Sequence, residues 1–205
     1  MAEDRKRRVP MSDFATITVQ KRASTGKGSN RRLRAKGIIP AVFYTTKGEN
    51  IPVQVEEAPL VKLFAAMGRT TVFNVEIEDG AQKEVHPALI WDIEYYPTKN
   101  RFQHVDFFGL DLNKEIKIRV PLVFSGTAKG AKLGGVLETF MEFVDLIGKP
   151  LDIPSKLPVD LTPLGLGDTM RVANLAMPEG VRPATEASQA IVFMKDKSSG
   201  ETTEE

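Results

Sequence analysis

The strongest constraint on this chain lies beyond Gly68, where apolar residues recur at every second position or in short runs cut by proline and glycine. A period of two belongs to strands, and closely spaced turn residues belong to hairpins and all-β layers. Segments 72–77, 83–93 and 101–107, with Asp79-Gly80 as a hairpin turn, predict one antiparallel set. From residue 110 to 196 no segment carries a helical apolar stripe. Segments 115–124, 135–147 and 190–194 therefore predict strands of a second, all-β domain.

Ahead of Gly68 the pattern is mixed. From Asp13 the side chains alternate, Ile17 and Val19 one way and Thr16 and Thr18 the other, which predicts a first strand. Thr25-Gly26-Lys27-Gly28 interrupts it, since two glycines in three residues mark a loop with unusual backbone angles. Ser29 or Asn30 is placed to cap a short helix over 31–35, and Gly37 to end it. Strands are predicted over 38–44 and 51–55. Pro59 suits a first helical turn, and Leu60, Leu63, Phe64 and Met67 follow at helical spacing as a core-packing stripe.

The fold class is thus mainly β, of α+β type. A small barrel with two short helices spans residues 13–108, and an all-β domain spans 109–196. Residues 1–12 read as a flexible basic arm, either simply solvated or moving over RNA phosphates through Arg5-Lys6-Arg7-Arg8. Residues 197–205 lack large apolar groups and read as a disordered tail.

Composition removes several classes of function. With no cysteine, thiolate metal sites, iron–sulfur clusters, disulfide scaffolds and thiol nucleophiles are all excluded. Two histidines leave little for a metal centre or a histidine-based triad, so no cofactor or metal is expected. No apolar run approaches the ~20 residues of a membrane span, and the first residues are charged, not signal-like. These features point to a soluble, intracellular protein.

The 28 basic and 27 acidic residues nearly cancel, but they are not mixed evenly. Residues 1–40 hold eleven basic side chains against Glu3, Asp4 and Asp13, a net +8, so the remainder carries −7. A basic front on an acidic body points to a polyanionic partner. The densest part is Lys21, Arg22, Lys27, Arg31, Arg32, Arg34 and Lys36, with no acid among them. A solvated helix face normally alternates signs. Arginine offers a planar fork that matches phosphate and guanine edges, and glycine lets the backbone come close to a ribose-phosphate chain. A membrane surface is the rival partner, but the helix lacks the wide apolar face that lipid requires.

His104 and Asp106, two apart in an extended stretch, share one sheet face. They serve either as mutual structural partners or as readers of base edges, since a carboxylate accepts only from amino or imino hydrogens. A hydrolase would need a nucleophile and an oxyanion site, and the sequence marks neither. Neither glycine-rich loop, at 26–28 or 126–132, has P-loop spacing. The second either reverses the chain or places Lys129 and Lys132 in a groove. Trp91, Tyr95 and Tyr96 fit base stacking and cross-strand packing equally well.

In order and spacing, Arg22, Gly26-Lys27-Gly28, Arg31-Arg32-Leu33-Arg34, Gly37, Ile39-Pro40-Ala41-Val42, Tyr44 and Gln103-His104-Val105-Asp106-Phe107 form one pattern. It resembles the L-twenty-five family of the bacterial large ribosomal subunit, in its long form also called general stress protein CTC. Val120-Pro121-Leu122, Gly134-Gly135, Gly167-Asp168 and Met177-Pro178-Glu179-Gly180-Val181 extend the resemblance over roughly residues 14–195. The resemblance implies a six-stranded β-barrel that grips an irregular loop of 5S rRNA, followed by an all-β C-terminal domain, in a non-enzymatic, cytoplasmic, ribosome-bound monomer. By matching positions it implies RNA contacts from Arg22, Lys27, Arg31, Arg32, Arg34, Tyr44, His104 and Asp106. Thr45 stands where the family carries glycine, and Glu94 is read at the place of a common glutamine. The alternative from another class is a stress-induced regulatory or chaperone-like protein that binds other proteins through its β domain.

Overall fold

The computed structural model describes residues 14–196. The arm expected at 1–12 and the tail expected at 197–205 lie outside the described residues. The chain divides into two compact units between Leu112 and Asn113.

The first unit holds β1 (Thr16–Lys21), α1 (Lys27–Ala35), β2 (Ile38–Tyr44), β3 (Asn50–Glu56), α2 (Glu57–Met67), β4 (Phe73–Asp79), β5 (Gln82–Tyr96) and β6 (Lys99–Gly109). Its six strands form a closed barrel in the order β1-β3-β2-β6-β5-β4. Four of the six pairings are antiparallel; β1 with β4 and β2 with β6 are parallel. Closure removes the unpaired edges that an open sheet would expose. Alternation decides the filling: Ile17 and Val19, Ile39 and Phe43, Val53 and Val55, Phe73 and Val75, Val105 and Phe107 all join one buried cluster. From the stripe predicted for α2, Leu60 and Leu63 are buried in that cluster, while Phe64 and Met67 pack partly buried against it.

Three local expectations shift. The helix predicted over 31–35 begins at Lys27, and neither Ser29 nor Asn30 caps it; Gly26 occupies the cap position with φ +108°. Only glycine takes that angle freely, so the chain can turn into a helix without a side-chain cap. The hairpin loop is Gly80-Ala81 instead of Asp79-Gly80, because Asp79 pairs with Gln82. The β5–β6 hairpin outruns its predicted ends at both extremities, with the Tyr95 ring tilted against that of Phe102 at a centroid distance of 5.3 Å near its tip.

The second unit holds β7 (Ile116–Ser125), the short α3 (Lys129–Lys132), β8 (Val136–Thr139), β9 (Phe143–Gly148), β10 (Leu157–Asp160), β11 (Thr169–Arg171), β12 (Arg182–Pro183) and β13 (Ala190–Lys195). Two sheets result, β10-β7-β9-β12 and β11-β13-β8. The strand predicted over 135–147 is therefore two strands in different sheets. The Phe140 amide donates to the Ile191 carbonyl at 2.9 Å, while the Leu122 amide donates to the Glu142 carbonyl at 2.8 Å, so the chain changes hydrogen-bonding partners at 140–142. The glycines of the second loop serve close packing. A Cβ on buried Gly130 would lie 2.6 Å from Met194 Cγ and 2.9 Å from the backbone of Gly165 and Leu166.

Among the described residues, no helix is long and apolar enough to cross a membrane, and no three His, Cys, Asp or Glu side chains gather to hold a metal ion.

Candidate nucleic-acid interface

The basic cluster becomes a rigid feature because two arginines fasten α1 to the barrel. Arg22, just past β1, donates through Nη1 to Asn30 Oδ1 at 2.7 Å and through Nη2 to the Ala41 carbonyl at 3.1 Å. One guanidinium thus joins the loop, the helix and β2. Its Nε is buried without a hydrogen-bond partner, and burial, reinforced by the nearby Arg34 charge, lowers its pKa from the ordinary arginine value. At the other end of the helix, Arg34 Nε donates to the Gln103 carbonyl at 2.9 Å, so the last turn of α1 meets β6 beside His104.

Lys27, Arg31, Arg32 and Lys36 are exposed on this helix and its flank, and none has an acidic partner among the described residues. Four other cations of the same unit are paired with acids: Lys21 with Asp79, Arg69 with Asp92, Lys83 with Glu76 and Glu78, and Arg101 with Glu57. The first turn of α1 also lacks an acidic residue, leaving its N-terminal amides and dipole without a negative group. An uncompensated helix of this kind attracts phosphates.

Beside it lies the outer face of β6. Val105 and Phe107 point into the core, so His104, Asp106 and Phe108 point outward. His104 Nδ1 lies 3.2 Å from Asp106 Oδ1, an ion pair whenever the imidazole is protonated. The parallel β2–β6 register sets Val42 beside Asp106 and Tyr44 beside Phe108, which brings the Tyr44 ring onto the same face. The antiparallel β5–β6 register sets Asp92 opposite Asp106 and Glu94 opposite His104. Partial burial raises the Asp106 pKa above its ordinary value; His104 opposes this, and Asp92 and Glu94 reinforce it.

Comparison with known proteins decides the family. Residues 17–107 match the Ribosomal L25p family, and residues 115–198 match the C-terminal domain of ribosomal protein TL5. The large ribosomal subunit protein bL25 of Nitratidesulfovibrio vulgaris (strain Hildenborough) is 54% identical over 182 residues, 89% of this chain and 96% of that protein. Proteins of the same name from Lawsonia intracellularis (53% over 182 residues, 89% and 92% of the two chains) and Desulfovibrio desulfuricans (50% over 190 residues, 93% and 96%) are similar to it. This chain belongs to the ribosomal L25p family. It is a family of ribosomal proteins and not of enzymes.

The eight residues singled out in this L25p-family chain all fall within the matched 17–107 segment, but the fold sorts them into three groups. Arg34, Tyr44, His104 and Asp106 come together on or beside the outer β2–β6 face. Lys27, Arg31 and Arg32 stand exposed along α1. Arg22 lies half-buried beneath the helix with its guanidinium committed to the fold. Sequence reasoning did not find Asp92 as the residue facing Asp106. The only signal for it was the strand register, and that is hidden because β5 slips against β6 between Ile90 and Asp92.

Proposed function

We propose that this chain is a structural, non-enzymatic component of the large ribosomal subunit that binds 5S rRNA through α1 and the outer face of β6, acting as a monomer within the cytoplasmic ribosome. The observation that carries this reading is the row of unneutralised cations on a helix clamped, through Arg34 and the Gln103 carbonyl, next to His104 and Asp106. Its relatives' names, large ribosomal subunit protein bL25, give the same direction.

The two halves of the surface divide the work. Lys27, Arg31, Arg32 and Arg34 face the phosphates and supply most of the affinity, which is sequence-independent. Tyr44, His104 and Asp106 supply discrimination. A regular A-form helix hides its major-groove edges, whereas an irregular loop of non-Watson–Crick pairs opens them to side chains. A carboxylate there accepts only from amino or imino hydrogens and repels a bare phosphate. Arg22 acts by positioning, since it holds the loop and helix in place. Residues 13–108 form the RNA-binding domain, and residues 109–196 form a second domain that leaves the RNA-binding face to the first.

A competition titration tests this reading. The full chain is titrated with 5S rRNA and with a regular RNA duplex of equal length at one salt concentration. Preference for 5S rRNA by about tenfold or more is expected, and equal affinity for both RNAs would overturn the reading.

A further inference from the structure

The indole of Trp91 lies on the same side of the barrel as the proposed RNA-reading groups, yet neither the phosphate-binding nor the base-reading role uses it. β5 carries an irregularity at this residue: Ile90 pairs with Phe107 inside the barrel and Asp92 with Asp106 outside it, so Trp91 is the extra residue between an inward pair and an outward one. Such a bulge re-aims a side chain out of the regular ladder. The indole is 53% exposed, and its ring sits 5.2 Å from that of Phe108 with a 40° tilt. Phe108 is two residues past Asp106 on the outer face of β6 and stands next to Tyr44 in the β2–β6 register. Tyr44, Phe108 and Trp91 therefore form an aromatic row across three strands, continuous with Asp106 and His104.

We propose that Trp91 is a stacking platform for a nucleobase of the bound RNA. This rests on the RNA-binding reading above and adds a residue and a mode of contact to it. Phe108 supports the ring from one side, so the indole needs little ordering when a base arrives. The base that stacks there is displaced from regular pairing, since a base inside a helix already has both faces covered. The carboxylates of Asp92 and Asp106 next to the ring disfavour a phosphate at that spot, which leaves the base or ribose as the group that fits. Stacking of this kind adds affinity without adding a cation, so it leaves the salt dependence untouched.

The chain has one tryptophan, so its emission reports on this residue alone. The full chain is titrated with 5S rRNA while binding is followed independently by mobility shift. Quenching of the emission that saturates along the mobility-shift curve is expected. Trp91→Ala is expected to weaken binding by about tenfold with an unchanged salt slope, and Trp91→Phe, which keeps a ring on Phe108, to recover most of that loss. A complex that forms with unaltered emission, or a Trp91→Ala chain that binds as tightly as the parent, would overturn the proposal and leave the indole as a contact for a protein neighbour. If no complex forms at all, the RNA-binding reading fails first and this proposal fails with it.

Discussion

Asp106 and Asp92 stand directly opposite each other on the outer faces of β6 and β5, two carboxylates paired across an antiparallel ladder. Partial burial of Asp106 and the carboxylates of Asp92 and Glu94 all disfavour its ionised form, and only His104 offsets them. Like charges directly opposite each other destabilise a sheet. Arg69 pairs with Asp92, but the Asp106 carboxylate itself still bears this cost, which fits its proposed base-reading role.

Asp106→Asn is expected to raise the melting temperature near neutral pH while reducing the preference for 5S rRNA over regular duplex. The sign follows from linkage. A carboxyl whose folded pKa is raised costs stability above that pKa, and the cost disappears as pH falls through it toward the unfolded value near 3.8. The advantage of the asparagine variant should therefore shrink as the solution is acidified. Thermal unfolding followed across that pH range checks this, and a variant less stable than the parent at neutral pH would contradict it.

Arg31→Ala combined with Arg32→Ala is expected to leave unfolding within about 0.5 kcal/mol of the parent, because both side chains are exposed and unpaired. Affinity for 5S rRNA should fall, and the slope of log affinity against log salt should flatten by about 0.7–0.9 for each cation that meets a phosphate. Binding measured at several salt concentrations separates this from a general loss of fold.

Arg22→Ala is expected to behave in the opposite way. It removes both hydrogen bonds that join α1 to β2 and leaves Asn30 and the Ala41 carbonyl short of a donor. A cost of about 1–3 kcal/mol in stability follows. Denaturant unfolding of this variant beside the Arg31/Arg32 double variant should rank Arg22→Ala as the less stable.

Gly130→Ala is expected to destabilise the second unit by about 1–3 kcal/mol, since the added methyl meets backbone at Gly165 and Leu166 and not merely a movable side-chain end. The 5S rRNA affinity of the folded chain should stay at the parent value, because all eight candidate contacts lie in the first unit. Chemical unfolding and RNA binding measured on the same preparation check both parts.

Much of this was legible in the sequence because it is local. An acid-free run of arginines behind two glycines needs no tertiary information to be recognised, and the His-x-Asp spacing fixes a shared face once the segment is extended. Strand alternation likewise separated the two faces of β1. What depends on register was hidden. The facing of Asp92 and Asp106, and the outward placement of Trp91, follow from an irregularity between β5 and β6 that no periodicity announces. The split of 135–147 into β8 and β9 was hidden for a similar reason. No proline or glycine interrupts 136–147 while its hydrogen-bonding partner changes from β13 to β7. The start of α1 was missed because Gly26 replaces a side-chain cap with a backbone angle. Arg22 looked like its neighbours in composition, and only the fold shows it half-buried against Asn30 and Ala41.

The most direct test of the central claim is chemical footprinting of 5S rRNA with the intact chain, the Arg31/Arg32 double alanine variant and Asp106→Asn side by side. Protection confined to one irregular loop, lost with the double variant and spread onto regular duplex with Asp106→Asn, is the predicted result. Absence of protection, or protection along the regular helices by the parent chain, would contradict the account.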